Sequence, residues 1–269
     1  MGRLFLSALI LILLFNSCEK GNELIYEDYQ SNTLLRQVKA SEDVIQDITY
    51  YNTGYIFEHL QGYSYRMFLY NNQNQLIKIE IAMSLNPFSC LFIPGATFEE
   101  GGDPRNANVG QYREFEYSNE GILRSKKSYF INDDTPQLMI YEEFEYNNNE
   151  VVKINVFNPQ NQLTHYYTFI YDNNGNVLEE DYYYIEGAEA ILQTRISYEY
   201  DDKNNPLKVF TVEGIPGINT NNNNITNQTT INYYNEEEYS YTAENLYEYN
   251  DLGYPVKVNN LEYIYGKEE

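Results

Sequence analysis

Histidine and cysteine, two residue types that commonly act as general bases and nucleophiles, are scarce in this chain. The 269 residues include two histidines, His59 and His165, and two cysteines, Cys18 and Cys90. Each histidine lies in a strand-like segment, which favours a sheet residue over a proton-transfer group, and Cys90 is interpreted as a buried structural thiol. The sequence contains no P-loop, GxGxxG, GxSxG, HExxH or CxxC motif. We therefore expect no catalytic residue and no cofactor.

Carboxylates are the one abundant group that could do chemistry. Three clusters stand out among the 40 acidic residues: Glu142, Glu143 and Glu145; Glu179, Glu180 and Asp181; and Glu236, Glu237 and Glu238. A glycosidase needs two carboxyl groups about 5–9 Å apart, but so many acids form such pairs by chance. A polysaccharide-acting hydrolase that uses loop carboxylates is therefore kept as an alternative. Asp201, Asp202 and Asn204 could offer oxygens to calcium, although ordinary turn hydrogen bonds explain them, and we expect no metal site.

Tyrosine is in clear surplus, with 30 copies and no tryptophan. An exposed tyrosine offers area and a hydroxyl at low entropic cost, and it commonly anchors glycans and proteins. Consecutive tyrosines in a strand must occupy both faces of the sheet. The predicted binding residues form two such runs: Tyr182, Tyr183 and Tyr184, and then Tyr233 and Tyr234. The alternative is that these rings only fill cross-strand pairs.

These tyrosines belong to a strand-and-turn unit that occurs six times. Each copy centres on a tyrosine followed by Asn, Asp or Ser: MFLYNN (67–72), EFEYSN (114–119), EFEYNN (143–148), TFIYDN (168–173), SYEYDD (197–202) and LYEYND (246–251). A second apolar stretch follows each one: QLIKIE (75–80), ILRSKK (122–127), VVKINV (151–156), VLEEDY (177–182), PLKVFTV (206–212) and PVKV (255–258). Self-similarity of this kind indicates an array of identical supersecondary units.

The residues within one unit alternate in character. In EFEYNN, Phe144 and Tyr146 share one face of a strand, and Glu143 and Glu145 share the other. This predicts an antiparallel sheet with one packed face and one wet face. The fold class is therefore all-β: a large curved antiparallel meander sheet built from repeated Tyr-Asn/Asp hairpins, with roughly 13–16 strands counted at two per unit.

Two stretches interrupt the array. Residues 83–111 and 213–229 are rich in Gly, Pro or Asn and are interpreted as long inserted loops. Loops of this length are often functional, and tolerated insertion is the alternative. Upstream, TLLRQVKAS (33–41) resembles the second half of a unit, and LEYIYG (261–266) resembles a closing first half. SEDVIQDI (41–48) is the one candidate for a short helical turn.

The formal net charge is −23. Such a field repels phosphates, so we expect no nucleic-acid partner. The charge serves solubility, with attraction of cations or basic partners as the alternative. The spread of the units favours one β domain over residues 31–269, preceded by a tether at 18–30.

Residues 1–17 have the features of a signal peptide. Arg3 precedes twelve apolar residues (4–15), which are too few to span a membrane. The run ends at Ser17-Cys18, which resembles a bacterial lipobox, although Phe15 and Asn16 depart from the usual pattern. The resemblance implies that Cys18 becomes a lipidated N-terminus and holds the protein on a membrane.

Two segments carry a resemblance to known repeat proteins. YDNNGNVLEEDYYY (171–184) resembles the YD or RHS-type repeat. YDDKNNPLKVF (200–210), with GIPG (214–217) and NNIT (223–226), resembles a group of uncharacterised Bacteroidota surface lipoproteins. The resemblance implies a fold and offers no activity or catalytic residues.

The leading hypothesis is a non-enzymatic, lipid-anchored protein of the bacterial cell envelope, at the outer membrane and exposed on the cell surface. Its sheet would display a binding or interaction surface for a glycan or a protein. The alternatives are the hydrolase described above and a purely structural spacer.

Overall fold

The computed structural model describes residues 31–83, 103–234 and 237–266. These residues form seventeen strands. In chain order they are β1 (Leu35–Ala40), β2 (Asp43–Tyr50), β3 (Ile56–Gln61), β4 (Ser64–Tyr70), β5 (Leu76–Met83), β6 (Val109–Tyr117), β7 (Leu123–Asn132), β8 (Thr135–Asn147), β9 (Glu150–Phe157), β10 (Leu163–Tyr171), β11 (Val177–Glu186), β12 (Glu189–Tyr200), β13 (Ile225–Tyr234), β14 (Glu237–Glu244), β15 (Tyr247–Tyr249), β16 (Pro255–Val258) and β17 (Leu261–Tyr265). Two 3-10 helices accompany them, Pro104–Asn106 and Pro206–Glu213, and the second is called the insertion helix.

The strands form one antiparallel meander, as the sequence predicts. Neighbours in sequence pair from β1 to β14 and again from β15 to β17. β17 then pairs with β1, with Tyr265 opposite Leu35. The closing half-unit (261–266) and the opening half-unit (33–41) therefore pair to form one complete unit. Among the described strands the sheet stays open between β14 and β15, where Tyr247 Oη donates to the Ile225 carbonyl (2.8 Å).

The tyrosine of each unit faces a β-bulge in the return strand. These residues are called the anchor tyrosines: Tyr50, Tyr70, Tyr117, Tyr146, Tyr171, Tyr200, Tyr249 and Tyr265. In one unit Glu116 pairs with Ser125 and Tyr117 pairs with Leu123, which leaves Arg124 as the extra residue. A bulge bends its strand and increases the local twist, so the same bend recurs along the array and curves the sheet.

In four hairpins the residue after the anchor tyrosine builds the turn. Asp172 Oδ1 accepts hydrogen bonds from the backbone N–H groups of Asn174 (2.8 Å) and Asn176 (2.9 Å). Asn71 and Asn250 make the same pair of bonds in their own turns. A short side-chain acceptor is needed at this position, which explains the Asn, Asp or Ser after Tyr70, Tyr117, Tyr171 and Tyr249.

Five anchor hydroxyls connect successive units. Each donates to the carbonyl of the return-strand residue that pairs with another anchor tyrosine: Tyr50 to Leu35 (2.6 Å), Tyr117 to Leu76 (3.0 Å), Tyr171 to Val151 (2.8 Å), Tyr200 to Val177 and Tyr265 to Pro255 (2.7 Å). Tyr70 Oη is buried without a partner, and Tyr249 Oη donates to Asp201 instead.

The core lies on the face predicted to be packed, which is called the inner face. Phe115, Phe144 and Phe169 are buried there, whereas Glu116 and Glu145 are exposed on the opposite, outer face. The most deeply buried side chains of the cluster are Leu35, Val38, Ile48, Tyr50, Ile56, Phe68, Leu76, Ile79, Val156 and Val177. The alternation in the units therefore separates the two faces as expected.

PLKVFTV (206–212) was expected as a return strand, and this prediction is wrong. The segment forms the insertion helix, which Asn205 caps by accepting from Leu207 N (2.9 Å), with Pro206 in the first turn. The helix ends at Gly214, whose φ of 71° and close approach to Leu123 exclude a Cβ. The return strand of that unit is β13, so the predicted loop at 213–229 includes the beginning of a strand.

Two further expectations need correction. Residues 43–50 form β2 rather than a helical turn, and Tyr50 is an anchor that the six-unit pattern omits. The sheet therefore has seventeen strands instead of 13–16. Most of the other predicted loop, residues 84–102, lies outside the described residues.

Candidate functional site

The outer face carries a row of aromatic rings from β6 to β11. They form three cross-strand pairs, each in direct register: Tyr112 with Tyr129, Tyr141 with Phe157, and Tyr166 with Tyr183. The ring centroids are 4.7, 5.6 and 4.7 Å apart, and the first and third pairs are stacked at 17°. All six side chains are half-buried. These six residues are called the outer aromatic band.

Each pair of the band is accompanied by a lysine that lies over one ring. The distances from Nζ to the ring centroid are 4.5 Å for Lys78 and Tyr112, 5.8 Å for Lys127 and Tyr141, and 4.5 Å for Lys153 and Tyr166. Each lysine also contacts a glutamate. In the same order, the Nζ–Oε1 distances are 2.7 Å to Glu80, 2.6 Å to Glu116 and 3.6 Å to Glu145.

This arrangement covers both ring faces of Tyr112 and of Tyr166 and leaves their edges accessible. Because β5 and β7 flank β6, Tyr112 has Lys78 on one face and Tyr129 on the other. Tyr166 is enclosed in the same way by Lys153 and Tyr183. Partial burial raises the pKa of the Tyr112 and Tyr183 hydroxyls, so they stay protonated and can donate hydrogen bonds.

The predicted binding tyrosines do not form one patch. Tyr183 belongs to the outer aromatic band. Tyr182 lies on the inner face beside His165, with centroids 5.3 Å apart, and Tyr184 pairs with His165 across β10 and β11. Tyr233 lies near Arg195 on the outer face. Tyr234, at the end of β13, is 68% exposed. The two runs therefore divide between the faces, as consecutive residues in a strand must.

The inner face holds a buried ionic cluster that sequence reasoning missed. Glu213, at the end of the insertion helix, is 3% exposed and accepts from Arg66 Nη1 (2.8 Å) and Arg113 Nη1 (3.2 Å). Arg66 belongs to β4 and Arg113 to β6. Phe210 of the same helix is buried against the ring of His59, with centroids 4.8 Å apart. The helix is thus held on the sheet by one carboxylate and one ring.

The geometry of His59 fixes its protonation. Arg66 Nη2 can only donate, so His59 Nδ1 accepts from it. The other ring nitrogen, Nε2, then carries the proton and donates to Gln46 Oε1 (3.1 Å). Burial and the Arg66 charge lower the pKa of His59 to about 3. A ring held neutral between two hydrogen bonds is a structural group, consistent with its interpretation as a sheet residue in β3.

The predicted acidic clusters are largely engaged by cations or hydroxyls. Glu142 bonds Lys126 on the inner face (2.9 Å). Asp181 accepts two hydrogen bonds from Arg195 (2.7 and 2.6 Å), and Glu179 lies 3.3 Å from the same guanidinium. Four other acids of these clusters have tyrosine or lysine partners: Glu143 with Tyr141, Glu145 with Lys153, Glu180 with Tyr198 and Glu237 with Tyr239. Glu238 is exposed on β14. Carboxylates held in this way act as hydrogen-bond and ion-pair partners within the sheet.

No group of three or more metal-ligating side chains occurs among the described residues. Asp201, which was considered for calcium, accepts from the backbone N–H groups of Lys203 (2.9 Å) and Asn224 (3.0 Å) and from Tyr249 Oη. Cys18, Cys90 and Glu236 lie outside the described residues. The part of the chain that is described has no helix long and apolar enough to cross a membrane.

No family model and no curated protein sequence matches the chain. Several solved structures resemble it at low identity. A porin-like protein from Bacteroides vulgatus is 12% identical over 87% of this chain and 99% of that chain, with a TM-score of 0.49. A protein with unknown function from Bacteroides fragilis is 11% identical over 49% of this chain and 91% of that chain (TM-score 0.35). The TcdB2-TccC3 structure is 13% identical over 77% of this chain and 10% of that chain (TM-score 0.31). None of these scores reaches 0.5, so the likeness is limited and does not extend to activity.

Proposed function

We propose that this protein is a lipid-anchored binding module of the bacterial cell envelope, and that the outer aromatic band is its contact surface for another protein. The observation that carries the proposal is the threefold repetition of a ring pair with a lysine and a glutamate on one half-buried face. Tyr183 is the predicted binding residue that belongs to this surface.

The accessibility of the rings favours a protein over a sugar at this face. A sugar stacks its C–H face on a free ring face, but the faces of Tyr112 and Tyr166 are covered by a second ring and a lysine. Ring edges and hydroxyls remain, interleaved with charges of both signs. Tyrosine is enriched at protein interfaces.

The two alternatives are less well supported. A hydrolase would need a free pair of carboxylates on the inserted loops, yet Glu213, the carboxylate of the second insertion, is buried between Arg66 and Arg113. A purely structural spacer would use the ring pairs only for cross-strand stability. A spacer predicts that removing the rings changes stability and leaves all interactions of the protein unchanged.

The test compares two double variants of the full-length protein in the envelope membranes of its own cells. Tyr129→Ser with Tyr183→Ser removes one ring from each stacked pair. Tyr239→Ser with Tyr241→Ser, on the exposed strand β14, removes the same side chains elsewhere. Chemical crosslinking should give a defined product with a partner protein in the wild type and in the β14 variant. The yield of this product should be at least tenfold lower in the Tyr129→Ser, Tyr183→Ser variant.

Salt provides the second criterion. Part of the contact uses exposed charges, so crosslinking should weaken between about 50 mM and about 500 mM salt. Both variants must keep wild-type melting curves within a few degrees for the comparison to stand. An equal yield of the crosslinked product in both double variants would refute the outer aromatic band as the contact surface.

A further inference from the structure

A cleft of about 540 Å³ lies between the insertion segment and the ends of four hairpins. One wall consists of Lys208, Thr211 and Val212 of the insertion helix and the residues that follow it. The other wall consists of the turns of the hairpins from β4–β5 to β10–β11. Small-molecule sites commonly enclose roughly 300–1,000 Å³, so the cleft is large enough for a ligand.

The floor of the cleft is apolar and aromatic. Leu76, Leu123 and Val151 are nearly fully buried beneath it. The anchor tyrosines Tyr117, Tyr146 and Tyr171 line it as well, and their rings pack against the core cluster. Successive hairpins therefore present three tyrosines side by side, each flanked by an apolar residue.

Of these three tyrosines, Tyr146 has a hydroxyl that makes no hydrogen bond to the described residues. Tyr117 and Tyr171 donate to the carbonyls of Leu76 and Val151. The equivalent bond is missing at Tyr146, whose hydroxyl has no hydrogen-bond partner among the described residues. Burial raises the pKa of Tyr146 to about 12, so this hydroxyl remains a donor at neutral pH. A half-buried hydroxyl without a partner costs free energy unless water or a ligand satisfies it.

The turn that follows Tyr146 adds further uncommitted groups. Asn149 and Glu150 line the cleft, and neither side chain has a hydrogen-bond partner among the described residues. Across the cleft, Lys208 donates to Asn222. The charged side chains lining the cleft are therefore one lysine and one glutamate, which balance locally in a chain of net charge −23.

We propose that this cleft binds a neutral sugar. Apolar and aromatic surface suits the C–H face of a pyranose ring, while amide and phenol groups suit its hydroxyls. The local charge balance favours a neutral ligand over an ionic one. Glu150 is the one carboxylate that lines the cleft among the described residues, whereas sugar hydrolysis ordinarily needs two. The site therefore holds a sugar without cutting it.

The test uses the full chain in detergent and an array of neutral di- and trisaccharides of glucose, galactose, mannose and xylose. At least one array member should bind, with an affinity unchanged between about 50 mM and about 500 mM salt. Tyr146→Phe removes only the free hydroxyl and should weaken binding about fivefold to tenfold, the value of one lost hydrogen bond. Asn149→Gly, which suits the positive φ of 70° at this turn position, should have a similar effect.

Matched controls lie beside these positions. Asn148→Gly changes the neighbouring residue of the same turn, which has a φ of 49° and does not line the cleft. Tyr141→Phe removes a hydroxyl from the outer aromatic band. Both should bind the array member like the wild type, as should the Tyr129→Ser, Tyr183→Ser variant, so this site and the protein-contact surface can fail independently. The absence of binding to every array member, or equal losses in variants and controls, would overturn the proposal.

Discussion

The hydroxyl of Tyr171 donates a 2.8 Å hydrogen bond to the carbonyl of Val151, the residue that pairs with the anchor tyrosine of the preceding hairpin. This contact joins two hairpins that are already joined by their strand ladder. It also satisfies a backbone acceptor beside a bulge, where the ladder is disrupted. The anchor tyrosine therefore acts as a packing residue for its own unit and as a hydrogen-bond donor to the unit before it.

The first prediction separates these two roles. Tyr171→Phe keeps the ring but leaves the Val151 carbonyl without its donor, which should lower the free energy of unfolding by about 1–2 kcal/mol. Tyr146→Phe removes a hydroxyl that has no partner among the described residues, so its effect should be close to zero. Urea denaturation of both variants measures the difference. Equal losses would mean that the Tyr171 bond contributes nothing specific.

The second prediction concerns the two faces of the sheet. Tyr171→Ala should lower the free energy of unfolding by about 3 kcal/mol, because a large ring is removed from the edge of the core. Glu145→Ala, on the exposed outer face, should change it by no more than about 0.5 kcal/mol. A urea melt in which both variants lose the same amount would show that the assignment of faces is wrong.

The third prediction is a pH dependence that originates at His59. The folded ring has a pKa of about 3, whereas an unfolded histidine titrates near 6.5. Between these values the unfolded chain binds more protons, so stability should fall as pH is lowered, by up to about 1.4 kcal/mol per pH unit.

The control for this slope is the second histidine. His59→Gln should flatten the decline between about pH 6.5 and pH 4 relative to the wild type. His165→Gln should change it less, because the His165 ring is only half-buried. Chemical denaturation at a series of pH values gives both slopes. An unchanged slope in His59→Gln would assign the acid sensitivity to other groups.

The fourth prediction tests how the insertion helix is held. Glu213→Gln leaves Arg66 and Arg113 without their shared buried anion, and breaking such an arrangement typically costs about 3–5 kcal/mol. The helix should loosen from the sheet, and trypsin should then cut after Lys208 faster than in the wild type. Glu244→Gln on the exposed strand β14 is the matched control. Wild-type cleavage in the Glu213 variant would show that Phe210 alone holds the helix.

The fifth prediction addresses the N-terminal segment, which lies outside the described residues. Cells expressing the full chain and fed a labelled fatty acid should incorporate label into the wild type. Cys18→Ala should abolish it, because the sulfur and the new N-terminus of this residue are the expected sites of acylation. Label retained in Cys18→Ala would place the modification elsewhere or refute lipidation.

The fold could be predicted because each unit contains several sequence signals that indicate the same hairpin structure. Alternation fixes the faces, the residue after the anchor tyrosine fixes the turn in four hairpins, and the spacing fixes the pairing of neighbours. The pairing of β17 with β1 was not predicted, although both half-units were recognised. Pairing between distant segments leaves no local sequence pattern, because the residues of a strand do not indicate which distant strand it pairs with.

The insertion helix shows where the interpretation went wrong. The place of the apolar stretch PLKVFTV after the tyrosine of its unit favoured a strand, but Asn205 before Pro206 is a helix-start signal and Gly214 is a helix-stop signal. These capping residues were the stronger information. The buried partners of Glu213 could not be predicted, because Arg66 and Arg113 lie 147 and 100 residues away in sequence.

The positions of the lysines on the outer face follow a sequence pattern. Lys78, Lys153 and Lys257 each lie two residues after the return-strand residue that pairs with the anchor tyrosine, in QLIKIE, VVKINV and PVKV. Lys257 contacts Glu248 (3.4 Å) across the ladder as Lys153 contacts Glu145 (3.6 Å), whereas Lys78 contacts Glu80 of its own strand (2.7 Å). A lysine at this position of the repeat predicts an ion pair on the wet face.

The direction of the tyrosine contacts has a consequence for the order in which the hairpins can assemble. Each of the five anchor hydroxyls bonds to a residue that precedes it in sequence, so a later hairpin can dock on a hairpin that is already formed. β1 differs, because one side of its ladder belongs to β17. When folding proceeds from the N-terminal hairpins, that side stays without its partner until β17 arrives, so β1 waits longer than any other described strand for its second neighbour.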